Sequence, residues 1–214
     1  MRCIDLTHLI SREMPVYPGT EPPRLQAANT YERDGFQETL LTMYSHTGTH
    51  MDPPAHLFAT LDQFPVEQFI GRALVIHCPE LKEGEAIPFS AVERVRPLAD
   101  RAEFLLFHTG WGRYWGTERY FGGYPCIDQG IVDYLLQSGK KGVGLDTIGV
   151  DPIADAYLSI HRRLFQDHDL VVMENLANLD QIGDGLFTLF ALPLRYQDAD
   201  GSPIRAVAVL DGEE

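Results

Sequence analysis

The sequence predicts a mixed α/β chain folded as one strand-rich domain over residues 1–214, and three observations carry that expectation. Eight short runs are dense in β-forming residues, a few helical segments lie between them, and no Ser/Gly-rich or Pro-rich linker divides the chain. A chain of 214 residues is long enough for a single core, since a domain of this size buries roughly 70% of the surface its unfolded form exposes.

In order, the strand-forming runs are RCIDL (2–6), TLLTMYS (39–45), ALVIHC (73–78), FLLFHTG (104–110), GVGLDTI (142–148), LVVMENL (170–176), LFTLFALPL (186–194) and IRAVAVLD (204–211). Three segments between them read as helices. Ser90 and Glu93 have capping-box spacing for a helix over AVERVR that Pro97 ends. Asp128 stands as N-cap to QGIVDYLLQS, and Gly139 stops it. Ser159 caps IHRRLFQ ahead of the strand at Leu170.

Composition excludes several function classes. A net charge of −14 repels phosphate backbones and anionic headgroups, and no basic run offsets it, so neither nucleic acid nor a membrane surface is an expected partner. No apolar run has the length of a membrane span or a signal peptide, which points to the cytoplasm. Cys3, Cys78 and Cys126 are odd in number and far apart, and are expected to be reduced and buried.

The stretch HTGTHMDPPAH (46–56) gathers three of the eight histidines with one aspartate. Gly48 and Pro53 exclude a helix, leaving an extended chain in which His46, Gly48, His50, Asp52, Pro54 and His56 share one face. At roughly 3.3 Å per residue His46 and His50 would then stand about 13 Å apart, too far for one ion. A bend at Gly48 is therefore expected if the two act together. Two readings are open on these residues alone: hydrogen-bonding histidines after a strand, or ligands for a divalent cation.

The stretch resembles the His-x-Gly-Thr-His-x-Asp-x-Pro-x-His signature of the cyclase family of metal-dependent hydrolases, which includes bacterial kynurenine formamidases and isatin hydrolases. MPVYPG (14–19), HTGWGRYWGTERYF (108–121), GVGLDTIGVDP (142–152), IHRRLF and VVMENLANL are similar to that family's segments in the same order. The resemblance implies a swivelling β/β/α fold, a homo-oligomer (dimer or tetramer) and a small-molecule amide substrate, with kynurenine formamidase, an enzyme of tryptophan catabolism, as the named activity. It implies that His46, His50 and Asp52 bind one ion, that Asp52 bridges to a second held with His161 and Glu174, and that His56 is the catalytic acid/base. Tyr17 stands where formamidases of the family carry an aromatic, usually tryptophan, against the substrate. Gly149 stands where the family often has serine.

The chemistry of these groups is consistent with hydrolysis. A carboxylate can bridge two cations and neutral imidazole donates one nitrogen, so the set offers mixed N/O coordination that suits zinc, with manganese as the alternative. Water acidified to hydroxide by such an ion is the expected nucleophile towards a formamide, and histidine has the pKa to move its proton. An isatin-hydrolase-like lactam or lactone hydrolase, or a metal-binding protein without turnover, are the alternatives. No Gly-x-Ser-x-Gly elbow and no nucleotide-binding glycine motif occurs.

Single residues keep bland readings beside these. His161 alone reads as a helix-start residue, and Glu174 after LVVM needs a buried partner, either a metal or an arginine. His8, His77, His108 and His168 read as structural or surface residues, Asp146 as a turn cap or part of the site, and Trp111, Tyr114 and Trp115 as core or pocket lining.

Overall fold

The computed structural model describes residues 1–58, 64–166 and 169–210. Its elements run β1 (Arg2–Asp5), β2 (Arg24–Asn29), α1 (Tyr31–Asp34), β3 (Glu38–Thr42), β4 (His50–Asp52), β5 (Ile70–His77), α2 (Ser90–Glu93), α3 (Arg96–Ala99), β6 (Phe104–His108), α4 (Gln129–Gln137), β7 (Gly142–Leu145), α5 (Ser159–Phe165), β8 (Val171–Glu174), β9 (Phe187–Pro193) and β10 (Ser202–Leu210).

Strands β5, β6, β7 and β8 are parallel neighbours. β4 joins β8 antiparallel, and β10 pairs antiparallel with β4 and, further along, with β1. β9 bonds antiparallel to both β5 and β10, which closes the sheet on itself as a barrel. Closure removes the free edges that an open sheet would expose. The fold is mixed α/β and dominated by this barrel.

The long apolar runs follow from burial on both faces, as parallel strands require. Alternate residues Ala73, Val75, Phe104, Leu106, Val171 and Met173 fill the barrel together with Leu189, Ala206 and Ala208. Their neighbours Leu74, Ile76, Leu105, Phe107, Val143 and Val172 face outward onto Ile131, Leu135, Ile160 and Leu164 of α4 and α5. On β4 the same alternation sends Met51 into the barrel, so His50 and Asp52 project from the outer face.

Several local expectations are corrected. The apolar run at 39–45 does not enter the core: among the described residues β3 pairs only with β2, a strand not expected from its β-formers, and Leu40 and Leu41 of this ribbon are each 54% exposed. Pro97 does not end a helix. It sits in the first turn of α3, where a missing N–H is tolerated, and Ser90 begins α2 without acting as a side-chain cap. Ser159 does not cap α5 either: Leu158 holds the N-cap position, while Asp155 and Asp151 accept the first free N–H groups. Cys3 is exposed, whereas Cys78 and Cys126 are buried, and all three are free. Among the described residues no helix is long and apolar enough to cross a membrane.

Asp128 caps α4 as expected, accepting from the Ile131 N–H at 2.9 Å, and its other oxygen accepts from the Phe89 N–H at 2.8 Å. Asp128→Ala therefore orphans two donors at once. The expected loss is about 1–2 kcal/mol, read as a fall of several degrees in the thermal midpoint with the circular dichroism spectrum of the folded state unchanged.

Candidate active site

Gly48 adopts φ +67°, in the left-handed region that favours glycine, and turns the chain between His46 and β4. The rings of His46 and His50 consequently lie 5.3 Å apart, edge to face. The β4–β8 register then sets His50 directly opposite Glu174. Beyond Asp52 the chain does not stay extended: Pro54–His56 form a 3-10 turn with proline at its start. His56 thus arrives by a turn, its ring 4.1 Å from that of His46 and 6.0 Å from that of His161 on α5.

Asp52 is the centre of this cluster. Its Oδ1 lies 2.5 Å from His46 Nδ1 and 3.4 Å from His50 Nε2, and its Oδ2 lies 3.3 Å from His161 Nε2. Glu174 lies 3.4 Å from His50 Nε2 through Oε2 and 3.3 Å from His161 Nε2 through Oε1. The partner that Glu174 requires is therefore this histidine pair, not an arginine. Separations of 3.3–3.4 Å among His50, His161, Asp52 and Glu174 match the edge of a tetrahedron of ligands around an ion at about 2.0–2.1 Å, so these four fit a divalent cation, whereas His46 is hydrogen-bonded directly to Asp52. Ligand atoms of His50, Asp52 and Glu174 all lie within 4.8 Å of one another, as do those of His46, Asp52 and His56.

Two of the imidazoles are oriented from behind. His50 Nδ1–H donates to the Gly48 carbonyl at 2.8 Å, and His161 Nδ1–H donates to Asp151 Oδ2 at 2.6 Å. Each bond fixes the tautomer that leaves Nε2 facing the two carboxylates. Asn175 holds the Gly48 carbonyl as well, donating from Nδ2 at 2.8 Å while its Oδ1 accepts from the Tyr120 hydroxyl at 2.7 Å. His46 packs against Gly201, where an added Cβ would fall 2.4 Å from its Cε1.

The electrostatics are those of carboxylates seeking positive charge. Burial opposes ionisation of Asp52, yet His50 and His46 hold its carboxyl well below the usual range. Burial likewise opposes charge on His50, but Asp52 and Glu174 outweigh it and push its pKa up to about 9. His56 goes the other way, lowered by burial against the pull of Asp52.

A cavity of about 420 Å³ opens over the cluster, with Tyr17, Thr20, Tyr44 and Asp200 among its lining. Tyr17 is 42% exposed there. Gly149 lines it too, and a Cβ at that position would meet the Tyr124 hydroxyl at 2.9 Å, so the tyrosine takes the room a side chain would need.

The other singled-out residues lie elsewhere. His8 stacks on Trp115 at 3.9 Å, and His77 contacts His108 at 3.0 Å and donates to the Ile182 carbonyl. Asp146 caps a turn, accepting from the N–H and hydroxyl of Thr109. Trp111 is core, with Tyr114 and Trp115 packed on it. His168 lies outside the described residues.

Residues 4–152 match the family model Cyclase, described as "Putative cyclase". The chain is 33% identical to a kynurenine formamidase of Bacillus cereus over 95% of both proteins, and 32% identical to one of Bacillus thuringiensis over the same shares. The chain belongs to the cyclase family. Its fold is shared with an isatin hydrolase bound to a product analogue, thioisatinate (TM-score 0.86, 23% identity, 98% of this chain and 92% of that one). Isatin hydrolase A of Labrenzia aggregata gives a TM-score of 0.81 at 23% identity, over 97% and 93% of the two chains.

Asp151, Asn175, Asp200 and Gly201 complete this cyclase-family site and were not singled out from the sequence. Only Asp151 carried a local signal, an acid before Pro152 ahead of α5. Asp151→Asn removes the carboxylate that orients His161. It should keep the fold but weaken divalent-cation binding about 10–100-fold, measured by competition with a chromophoric chelator.

Proposed function

We propose that the protein hydrolyses the C–N bond of a small aromatic or cyclic amide, in the manner of a kynurenine formamidase, with divalent ions held around Asp52. The observation that carries this reading is the position of Asp52, its two oxygens turned to different histidines at the base of an open cavity. The names of the relatives support the amide substrate, and the aromatic side chains at the mouth favour a flat ring.

In this reading His46, His50 and Asp52 would hold one ion, and Asp52, His161 and Glu174 would hold another; zinc is the preferred metal and manganese the alternative. An ion bound there supplies Lewis acidity, which polarises a carbonyl oxygen and acidifies water. The chain's own groups do the rest. Asp151 and the Gly48 carbonyl keep the imidazoles aimed, and Tyr17 covers the ring of the substrate. His56 takes a proton from the attacking water and returns it to the leaving nitrogen. Its place beside His46, outside the pair that Asp151 and Gly48 orient, suits a group that must exchange a proton.

The test is turnover of N-formylkynurenine, formanilide and isatin by zinc- and manganese-loaded protein. His56→Ala should retain its metal and lose about 10²–10⁴-fold in kcat. Loss of an ion from that variant would make His56 a ligand instead. Asp52→Ala should lose both ions by elemental analysis. A fully loaded wild-type protein that turns over none of these amides would sink the hydrolase reading.

A further inference from the structure

Tyr120 has no place in the lining of the cavity, yet its hydroxyl leads to it. The side chain is fully buried and donates to Asn175 Oδ1 at 2.7 Å, and Asn175 does line the cavity. Burial pushes the Tyr120 hydroxyl well above its ordinary pKa, so it remains a donor.

The backbone of Asn175 is held from both sides. It follows Glu174 directly at φ +57°, its N–H donates to the Thr147 carbonyl at 2.8 Å, and its carbonyl accepts from Thr49 Oγ1 at 2.6 Å. The side-chain amide keeps one freedom, because a carboxamide turned over fills the same space with oxygen and nitrogen exchanged. As it stands, Nδ2 donates to the Gly48 carbonyl at 2.8 Å and lies 3.5 Å from His50 Nδ1. Turned over, Oδ1 would face that carbonyl and offer the His50 Nδ1–H a second acceptor, so the imidazole would lose its single direction. The Tyr120 proton would then face an N–H group and be left buried without its acceptor, which is costly.

A closed circuit of contacts keeps Tyr120 aimed. Trp115 packs edge-on against the Tyr120 ring at 5.1 Å and stacks on His8 at 3.9 Å. The His8 N–H donates to Thr49 Oγ1 at 2.9 Å, and Thr49 returns the circuit to the Asn175 carbonyl. Residues far apart in sequence thus meet behind the Gly48 turn, and the aromatic segment 111–121 gains a connection to the site that its burial alone does not reveal.

We infer that Tyr120 is a positioning residue for His50, acting through the side-chain amide of Asn175, which it holds in the orientation that leaves the Gly48 carbonyl as the acceptor for His50 Nδ1–H. The effect on cation binding rests on the reading of His50 as a metal ligand; the effect on the metal-free protein does not.

Tyr120→Phe tests this, since it removes one buried oxygen and keeps the ring. In the full chain without zinc, proton–nitrogen correlation NMR should show the Asn175 Nδ2 protons and the His50 Nδ1 proton shifted and exchanging faster with water. Zinc affinity, measured by competition with a chromophoric chelator, should fall about 3–10-fold. Asp128→Ala, which loses stability outside the cavity, should change neither readout. In a double-mutant cycle Tyr120→Phe should add nothing to the loss of zinc affinity in Asn175→Ala. Additive losses overturn the inference, as do wild-type Asn175 and His50 resonances in Tyr120→Phe. Shifted resonances with wild-type zinc affinity preserve the positioning role and remove His50 from the ligand set instead.

Discussion

Burying an ionised carboxylate is costly unless positive charge compensates it, and Asp52 is 2% exposed on a strand of three residues. Everything around it answers that requirement. His46, His50 and His161 converge on its two oxygens from a turn, its own strand and a helix. Glu174 adds a second buried negative charge beside it. Two adjacent buried carboxylates raise each other's cost, so the arrangement makes physical sense as a receptacle for cations brought from solution. A core built for stability alone would have placed apolar residues there.

Barrel topology determines where this receptacle sits. The parallel strands β7 and β8 deliver their carboxyl ends to one rim, where ligands in α/β sheets collect. Insertion of β4 antiparallel beside β8 brings His50 to that same rim, facing the last residue of β8. The segment leaving β7 carries Asp151, which both satisfies the first N–H groups of α5 and orients His161. One carboxylate thus ties helix position to imidazole position, and movement of α5 would be felt directly at Asp52.

What the sequence could reveal follows the range of each interaction. The HTGTHMDPPAH stretch was readable because its clustered polar side chains, its bend and its stop are local, and the left-handed backbone at Gly48 is what the bend between His46 and His50 demanded. The joining of His161 and Glu174 to Asp52 came only through family resemblance, since 109 positions separate His161 from Asp52 and no local pattern links them, although Glu174 after LVVM already called for a buried partner. Asn175 and Asp200 were missed for the same reason. Asn175 is tied to Gly48 across 127 positions and Asp200 to His46 across 154. Strand β2 was missed because RLQAAN has no β-branched residue, and the ribbon it forms with β3 owes nothing to core burial. The extended reading of 46–56 failed at Pro54 for a local reason, because two successive prolines favoured a tight turn over a strand that could not bond through them.

The close approach of backbone to the site explains why glycine appears where a larger residue would be expected. Gly48 supplies a carbonyl that accepts from both His50 and Asn175, so the bend that brings the histidines together also provides the atom that fixes a tautomer. Gly201 gives His46 the space to lie against the main chain, a contact that no side chain at that position would permit. Asp200, its neighbour, reaches the other nitrogen of the same ring. Main-chain and side-chain groups of one short connection between β9 and β10 therefore set the outer limit of His46. A change of charge at the cavity mouth and a change in the setting of the first imidazole are, in this fold, the same structural event.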